Sequence, residues 1–292
     1  MLDQCRCTFP SGPFKRRRVA VRESRQRSVR RWQGRKTNLR TVVIIPARLQ
    51  SRRLPNKPLA DLGGLPMVVR VARQAQRAPN LAAIYVATGD AAIAAAARRH
   101  GLAVLATPGD HPSGSDRVAA AMAQLPAAVD AIINLQGDEP FVDPRDLEAL
   151  ARALEADDWD MVTLCRPLPE ADAWRDPNVV KVTRRNDGGA LLFSRAPIPH
   201  PRDGLADDRH APPGALRHLG VYAWRRRALA EQCRHPPHPL ELCEGLEQLR
   251  ALACGYRIRV IDAVSESRGI DTPADLAWAR ARIETLGPHA FT

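Results

Sequence analysis

The chain has 292 residues, 45% hydrophobic and 26% charged, enough for one large domain or two modest ones around a sizeable core, and it excludes a fibrous or wholly disordered protein. Its formal charge of +12 is misleading: residues 1–40 hold 13 Lys/Arg and 2 acidic residues, leaving 31 basic and 30 acidic residues for the remaining 252 positions. The body is thus nearly neutral, and its overall charge gives no reason to infer nucleic-acid binding.

The first forty residues show no apolar periodicity and no run long enough for a signal-peptide core or a membrane span. Residues 1–38 read as a basic, disordered or non-native extension, and residues 39–292 as the folded domain. Cys5 and Cys7 lie in the extension, Cys165, Cys233, Cys243 and Cys254 in the body, and no C-x-x-C pair occurs. Zinc held by paired thiolates is not expected, and a reduced cytoplasmic location is.

Thr41 to Ile45 is rich in Val and Ile, as a strand buried on both faces requires, and then gives way to a proline-punctuated loop carrying Arg48, Arg52, Arg53 and Lys57. Ligands of open α/β sheets bind beyond the carboxyl ends of strands, which makes this loop a candidate for a highly anionic group such as a triphosphate. A solvated basic loop is the alternative reading. Met67–Arg77 has helical apolar spacing, Leu81–Ala87 reads as a strand, and an alanine-rich helix runs to about Arg99. This alternation predicts an α/β fold with a mostly parallel sheet and helices on both faces.

Gly101–Thr107 reads as a short strand. Ser113 and Asp116 have capping-box spacing for a helix through Met122. Arg117 near that helix start faces a ligand or is one exposed cation beside a capping loop; both readings stand. Asp130–Leu135 is a buried strand followed by Gln136-Gly137-Asp138-Glu139. The adjacent acids suit Mg²⁺ or merely open the next helix near 143. Asp160–Arg166 is a further strand, 179–184 and 190–194 form a hairpin through Asn186-Asp187-Gly188-Gly189, and a strand spans Gly220–Trp224. His200, His235 and His238 read as surface loop histidines. Leu242–Ala253 has the leucine spacing of one helix, Tyr256–Ile261 is a strand, and Thr272-Pro273-Ala274-Asp275 caps a closing helix. Asp271, just outside that cap, remains free to face a metal.

VIIPARLQSRRLPNKPL, HPSGSDR, NLQGDEP, LLFSRAPIP, RHLGVYAWR, LEQLR and GIDTPADL, in this order from about residue 40 to 284, resemble the 3-deoxy-manno-octulosonate (Kdo) cytidylyltransferase family. The resemblance implies a Rossmann-like nucleotidyltransferase fold with a smaller substrate and dimerisation lobe, about 176–225. It also implies transfer of CMP from CTP to Kdo, with release of pyrophosphate, for lipopolysaccharide synthesis by a homodimer using Mg²⁺. By that resemblance Arg48, Arg53 and Lys57 surround the triphosphate and carry catalysis, with Ser113 and Arg117 also on the nucleotide. Gln136, Arg195, His218, Tyr222, Glu247 and Gln248 belong to the sugar, and Asp138 and Asp271 to the metal. The family pattern starts almost directly at the first strand, so the 1–38 extension has no counterpart in it. Arg52 stands where the family has a small hydroxyl residue, Asn56 where it has glycine, and His200 where an aromatic residue is usual. Asn tolerates left-handed backbone values, so the loop shape is expected to survive.

Other substrates remain open within the class, another sugar acid or a sugar phosphate. A different class also stays open, in which the basic tail binds RNA or an anionic surface. No stable nucleic-acid or membrane partner is expected for the folded body.

Overall fold

A computed structural model describes residues 38–51 and 53–287; the basic extension through residue 37, with Cys5 and Cys7, and Arg52 lie outside the described residues. The elements follow in order. The first half comprises β1 (Thr41–Pro46), a 3-10 turn (Lys57–Leu59), β2 (Asp61–Leu62), β3 (Leu65–Pro66), α1 (Met67–Gln76), β4 (Ala83–Thr88), α2 (Ala91–Arg99), β5 (Ala103–Ala106), α3 (Gly114–Met122), β6 (Ala131–Asn134) and α4 (Pro144–Ala156). The second half comprises β7 (Met161–Pro167), α5 (Ala171–Arg175), β8 (Lys181–Arg184), β9 (Ala190–Ser194), β10 (Leu216–Arg225), α6 (Arg226–Gln232), α7 (Pro239–Glu244), α8 (Glu247–Ala253), β11 (Ile258–Asp262) and α9 (Pro273–Leu286).

The main sheet runs β11-β7-β10-β6-β1-β4-β5, and β10 also bears the β8–β9 hairpin. β6, β1, β4 and β5 are mutually parallel, with Val42–Pro46 beside Ala83–Ala87 and Thr41–Ile44 beside Ala131–Asn134. β10 enters antiparallel between β6 and β7, and β11 pairs parallel with β7. The parallel block places the loops after β1, β4, β5 and β6 at one edge, where ligands of such sheets bind.

Alternation along β1 explains the layering. Val43 and Ile45 pack with Val68, Val69, Val71 and Ala72 of α1 and with Leu147, Leu150 and Leu154 of α4. Val42 and Ile44 point the other way, into Val118 and Ala121 of α3, Leu229 of α6 and Leu249 of α8. Successive strand side chains face opposite sides, so a wholly apolar strand requires cover on both. A third cluster joins Leu54, Leu62 and Met67 to Ile270, Leu276, Ala279 and Ile283, seating the start of α9 against the basic loop.

The hairpin is formed by β8 and β9, paired antiparallel with Gly188 at φ 84° in its turn. The expected single helix over Leu242–Ala253 is instead two. Gly245 adopts φ 62°, ψ 41° and closes α7, and α8 restarts at Glu247. A residue in the left-handed region ends the i→i−4 ladder, which leucine spacing alone does not reveal.

Candidate active site

The basic loop is shaped by Asn56, which takes φ 55° and leads directly into the Lys57–Leu59 turn. This is the backbone value that asparagine tolerates among non-glycine residues, and it turns Lys57 inward. Lys57 Nζ lies 2.5 Å from Asp138 Oδ2 and 3.0 Å from Asp271 Oδ1, and Arg53 Nη2 lies 2.9 Å from Asp271 Oδ2. Burial depresses the Lys57 pKa, but the Asp138 charge and the hydrogen bonds the ammonium donates to both carboxylates outweigh it, so it is held above its ordinary value. The Lys57 side chain is only 15% exposed, whereas that of Arg53 is 62% exposed, so the first contact is the tighter of the two.

These groups line a cleft of about 680 Å³ together with Arg48, His111, Ser113, Gly114, Arg117, Gln136 and Gly137. Ser113 caps α3, accepting from Asp116 N–H at 3.1 Å and donating to Asp116 Oδ2 at 2.7 Å. Arg117 is buried, which corrects its reading as an exposed cation: its Nη1 donates to Thr107 O and Thr107 Oγ1, each at 2.9 Å. The arginine braces the loop after β5 while lining the cleft. His111 Nε2 is buried without a hydrogen-bond partner.

Gly114 and Gln136 also line a second recess of about 260 Å³, with Ser115, Gly220, Tyr222, Trp224, Gly245, Leu246, Glu247 and Gln248. The two cavities therefore share a wall. At Gly114 a Cβ would stand 3.4 Å from Gln136 Oε1, in ordinary contact with that side chain. Tyr222 Oη donates to Gln248 Oε1 at 3.4 Å, and Gln248 Nε2 and Trp224 Nε1 are buried without partners among the described residues. Such orphan donors favour a ligand or water that brings acceptors. Burial raises the pKa of Glu247, opposed by hydrogen bonds with Ser115 and Ser113. Ser115 and Trp224 escaped the sequence reading of the site, although both lie in motifs that carry its other residues.

Two predicted sugar residues line neither cavity. Arg195 Nε donates to Glu244 O at 2.6 Å and Nη1 to Pro177 O at 2.9 Å, so two of its five N–H donors are taken by backbone carbonyls. His218 is buried, its Nε2 3.0 Å from Thr163 Oγ1 and its ring packed on Phe193 and Tyr222. Burial pushes its pKa down to about 3, so the ring is neutral and buttresses Tyr222.

The acidic pair also divides. Asp138 faces Lys57, whereas Glu139 turns away and accepts from Ser267 Oγ. The Glu139 residue is partly exposed, but burial of its carboxyl, reinforced by the Asp138 charge, pushes its pKa up to about 7. Among the described residues no group of three or more His, Cys, Asp or Glu is arranged to hold a metal. Asp138 and Asp271 nevertheless converge on one ammonium, a stand-in for a cation. Mg²⁺ commonly takes one or two carboxylates and leaves its other positions to water and substrate phosphates, so this donor set fits it.

A family model described as "Cytidylyltransferase" matches residues 42–258. The 3-deoxy-manno-octulosonate cytidylyltransferase of Anaeromyxobacter sp. (strain Fw109-5) is 48% identical over 250 residues, covering 86% of this chain and 99% of its own. The chain belongs to the Kdo cytidylyltransferase family. The enzyme of the same name from Syntrophobacter fumaroxidans is 48% identical over 240 residues, covering 82% and 94%. A solved CMP:2-keto-3-deoxy-manno-octonic acid synthetase complexed with CTP superimposes with TM-score 0.78 at 38% identity, covering 84% of this cytidylyltransferase and 99% of that chain. The 4-diphosphocytidyl-2C-methyl-D-erythritol synthase of Anaerococcus prevotii, 11% identical with TM-score 0.55, shares the fold alone.

Proposed function

We propose that the enzyme transfers CMP from CTP to the anomeric hydroxyl of Kdo, releasing pyrophosphate and forming CMP-Kdo for lipopolysaccharide biosynthesis. The observation that carries this reading is the shared wall at Gly114 and Gln136: a cationic cleft sized for a nucleotide opens beside a recess with unpartnered donors suited to a polyhydroxylated sugar. CTP takes the first, with its phosphates toward Arg48, Arg53 and Lys57, and Kdo the second, near Tyr222, Glu247 and Gln248.

The hydroxyl oxygen attacks the α-phosphorus and gives up its proton to solvent, the bond from that phosphorus to the bridging oxygen breaks, and pyrophosphate departs with the electron pair. Gln136, on the common wall, borders both reactants and helps to hold them near in-line geometry. Negative charge grows on the leaving group, where Arg48, Arg53 and Lys57 bind it more strongly than in the ground state. Asp138 and Asp271 would hold Mg²⁺, which when bound neutralises phosphate oxygens and orients them. Lys57 then exchanges carboxylate partners for phosphate. Arg195 and His218 act as supports, Arg195 tying the end of β9 to the α7–α8 junction and His218 backing Tyr222.

Assembly as a homodimer is supported by exposed leucines: Leu191 and Leu192 on β9, a strand paired among the described residues with β8 alone, and Leu240 and Leu242 on α7. Among the described residues no helix is long and apolar enough to cross a membrane. The reading places the reaction in the cytoplasm, where CTP is made, and in residues 39–292.

The test is Mg²⁺-dependent pyrophosphate release by the full chain and by a truncation before Leu39, with CTP and Kdo, other nucleoside triphosphates, and sialic acid as arms. Release by both proteins that requires CTP and Kdo is expected. Release only with another pair would retain the fold and overturn the substrates, and activity confined to the full chain would give the extension a role this reading does not.

A further inference from the structure

The segment between β11 and α9 has no regular structure, yet it delivers Asp271 to the cleft. Its path is fixed at three places. At its start, Asp146 accepts from Val264 N–H at 2.6 Å, from Ser265 N–H at 3.4 Å and from Ser265 Oγ at 3.2 Å. In the middle, Ser267 Oγ donates to Glu139 Oε2, and Gly269 passes so close that a Cβ there would stand 3.2 Å from Glu139 Oε1. At its end, Ile270 N–H donates to Asp138 O at 2.9 Å and Asp271 N–H to Asp275 Oδ2 at 3.2 Å.

Glu139 is the only one of these anchors whose side chain comes from the residue next to Asp138. Its carboxylate lines neither cavity. We infer that Glu139 is a positioning residue of the cation site: through Ser267 and the close passage of Gly269, it ties the segment bearing Asp271 to the turn bearing Asp138 and sets the spacing of the two carboxylates. The role rests on the metal assignment proposed above. It requires an acceptor at position 139 facing Ser267, not a group that touches the metal or the substrate. Partners one shell behind a metal ligand commonly tune affinity through this kind of orientation.

The experiment is titration of the full chain with Mn²⁺, followed by electron paramagnetic resonance, for wild type, Ser267→Ala, Gly269→Ala and Glu139→Gln. Metal-free CTP binding serves as a control for folding, and the Mg²⁺ concentration for half-maximal turnover is measured beside it. Ser267→Ala is expected to weaken Mn²⁺ about tenfold and to raise the Mg²⁺ requirement by a similar factor, with CTP binding changed less than about twofold. Gly269→Ala should act in the same direction, by crowding the carboxylate. Glu139→Gln, which keeps an acceptor for Ser267, should retain most of the wild-type affinity. Wild-type Mn²⁺ binding in Ser267→Ala and Gly269→Ala would overturn the inference. So would a loss in Glu139→Gln as large as that in Ser267→Ala, because the charge rather than the tie would then matter, or a wild type that binds no Mn²⁺. A wild type that binds Mn²⁺ with the expected variant pattern but makes no CMP-Kdo would leave this role standing and overturn the proposed reaction.

Discussion

Lys57 Nζ stands 2.5 Å from Asp138 Oδ2 and shares that carboxylate's neighbour, Asp271, at 3.0 Å. A cation supplied by the chain therefore sits where the proposed Mg²⁺ site would take one from solution. With Lys57 replaced by Met, Asp138 loses its ammonium partner and Asp271 keeps the more exposed Arg53. Mn²⁺ should then bind the nucleotide-free protein more tightly than it binds wild type, while turnover falls by about 10²–10³-fold because the leaving group loses its ammonium. Asp138→Asn should lose turnover to a similar degree and bind Mn²⁺ more weakly. Opposite movements of metal affinity in the two variants, read by Mn²⁺ titration, separate competition for the site from general damage. Equal weakening in both would contradict the geometry.

Much of this arrangement was legible because it is local. Val and Ile in unbroken succession at 42–45 require helices on both faces, Asn56 permits the left-handed turn that aims Lys57, and Ser113 and Thr272 accept from the backbone three residues on. What escaped depends on partners distant in the chain. Nothing near Arg195 announces that the carbonyls of Glu244 and Pro177 will occupy its guanidinium. His218 stands within a family motif, but its burial between Phe193 and Tyr222 is settled by how β10 crosses the sheet. Asp138 and Glu139 look alike as neighbours, and a turn sends one to Lys57 and the other to Ser267.

His218 makes stability depend on pH in a calculable direction. Its pKa falls from the ordinary 6.5 to about 3 on folding. Between these values the unfolded chain binds more protons than the folded one, so the stability from keeping this ring neutral is complete above pH 6.5 and declines as pH drops toward 3. From pH 6.5 to 5 the contribution lost is about 2 kcal/mol. In His218→Phe the ring stacking can persist without titration, and Thr163 Oγ1 still reaches Leu219 O and Val221 O. Urea unfolding at pH 7 and pH 5 should show the variant losing about 2 kcal/mol less than wild type over this interval. Equal losses would mean that the histidine protonates without cost.

Gly245 connects backbone conformation to the recess proposed for the sugar. It lines that recess at φ 62°, and a Cβ added there meets nothing within 4 Å. Substitution thus carries backbone strain but no clash. Gly245→Ala should destabilise by about 1–2 kcal/mol and Gly245→Asn by less, because asparagine visits the left-handed region more readily. Glu247 and Gln248 begin the next helix, so the Ala variant should raise KM for Kdo more than KM for CTP. A larger rise for CTP would detach this turn from the sugar side.

Tyr222 and Gln248 test which group the recess offers its ligand. Their hydrogen bond is long at 3.4 Å, and Gln248 Nε2 has no partner although it is buried. Tyr222→Phe removes one weak bond from a well-packed ring and should cost no more than about 1 kcal/mol of stability. Gln248→Leu removes the orphan donor and should leave the free protein about as stable, or slightly more so, because an unsatisfied buried amide disappears. Its effect should therefore fall on substrate. KM for Kdo is expected to rise about tenfold or more while KM for CTP stays near wild type, since a site built to hydrogen-bond a hydroxyl loses that energy when its donor is removed. If Gln248→Leu instead unfolds at lower urea and leaves KM for Kdo unchanged, the amide is structural and the recess takes its ligand through Trp224 and Glu247.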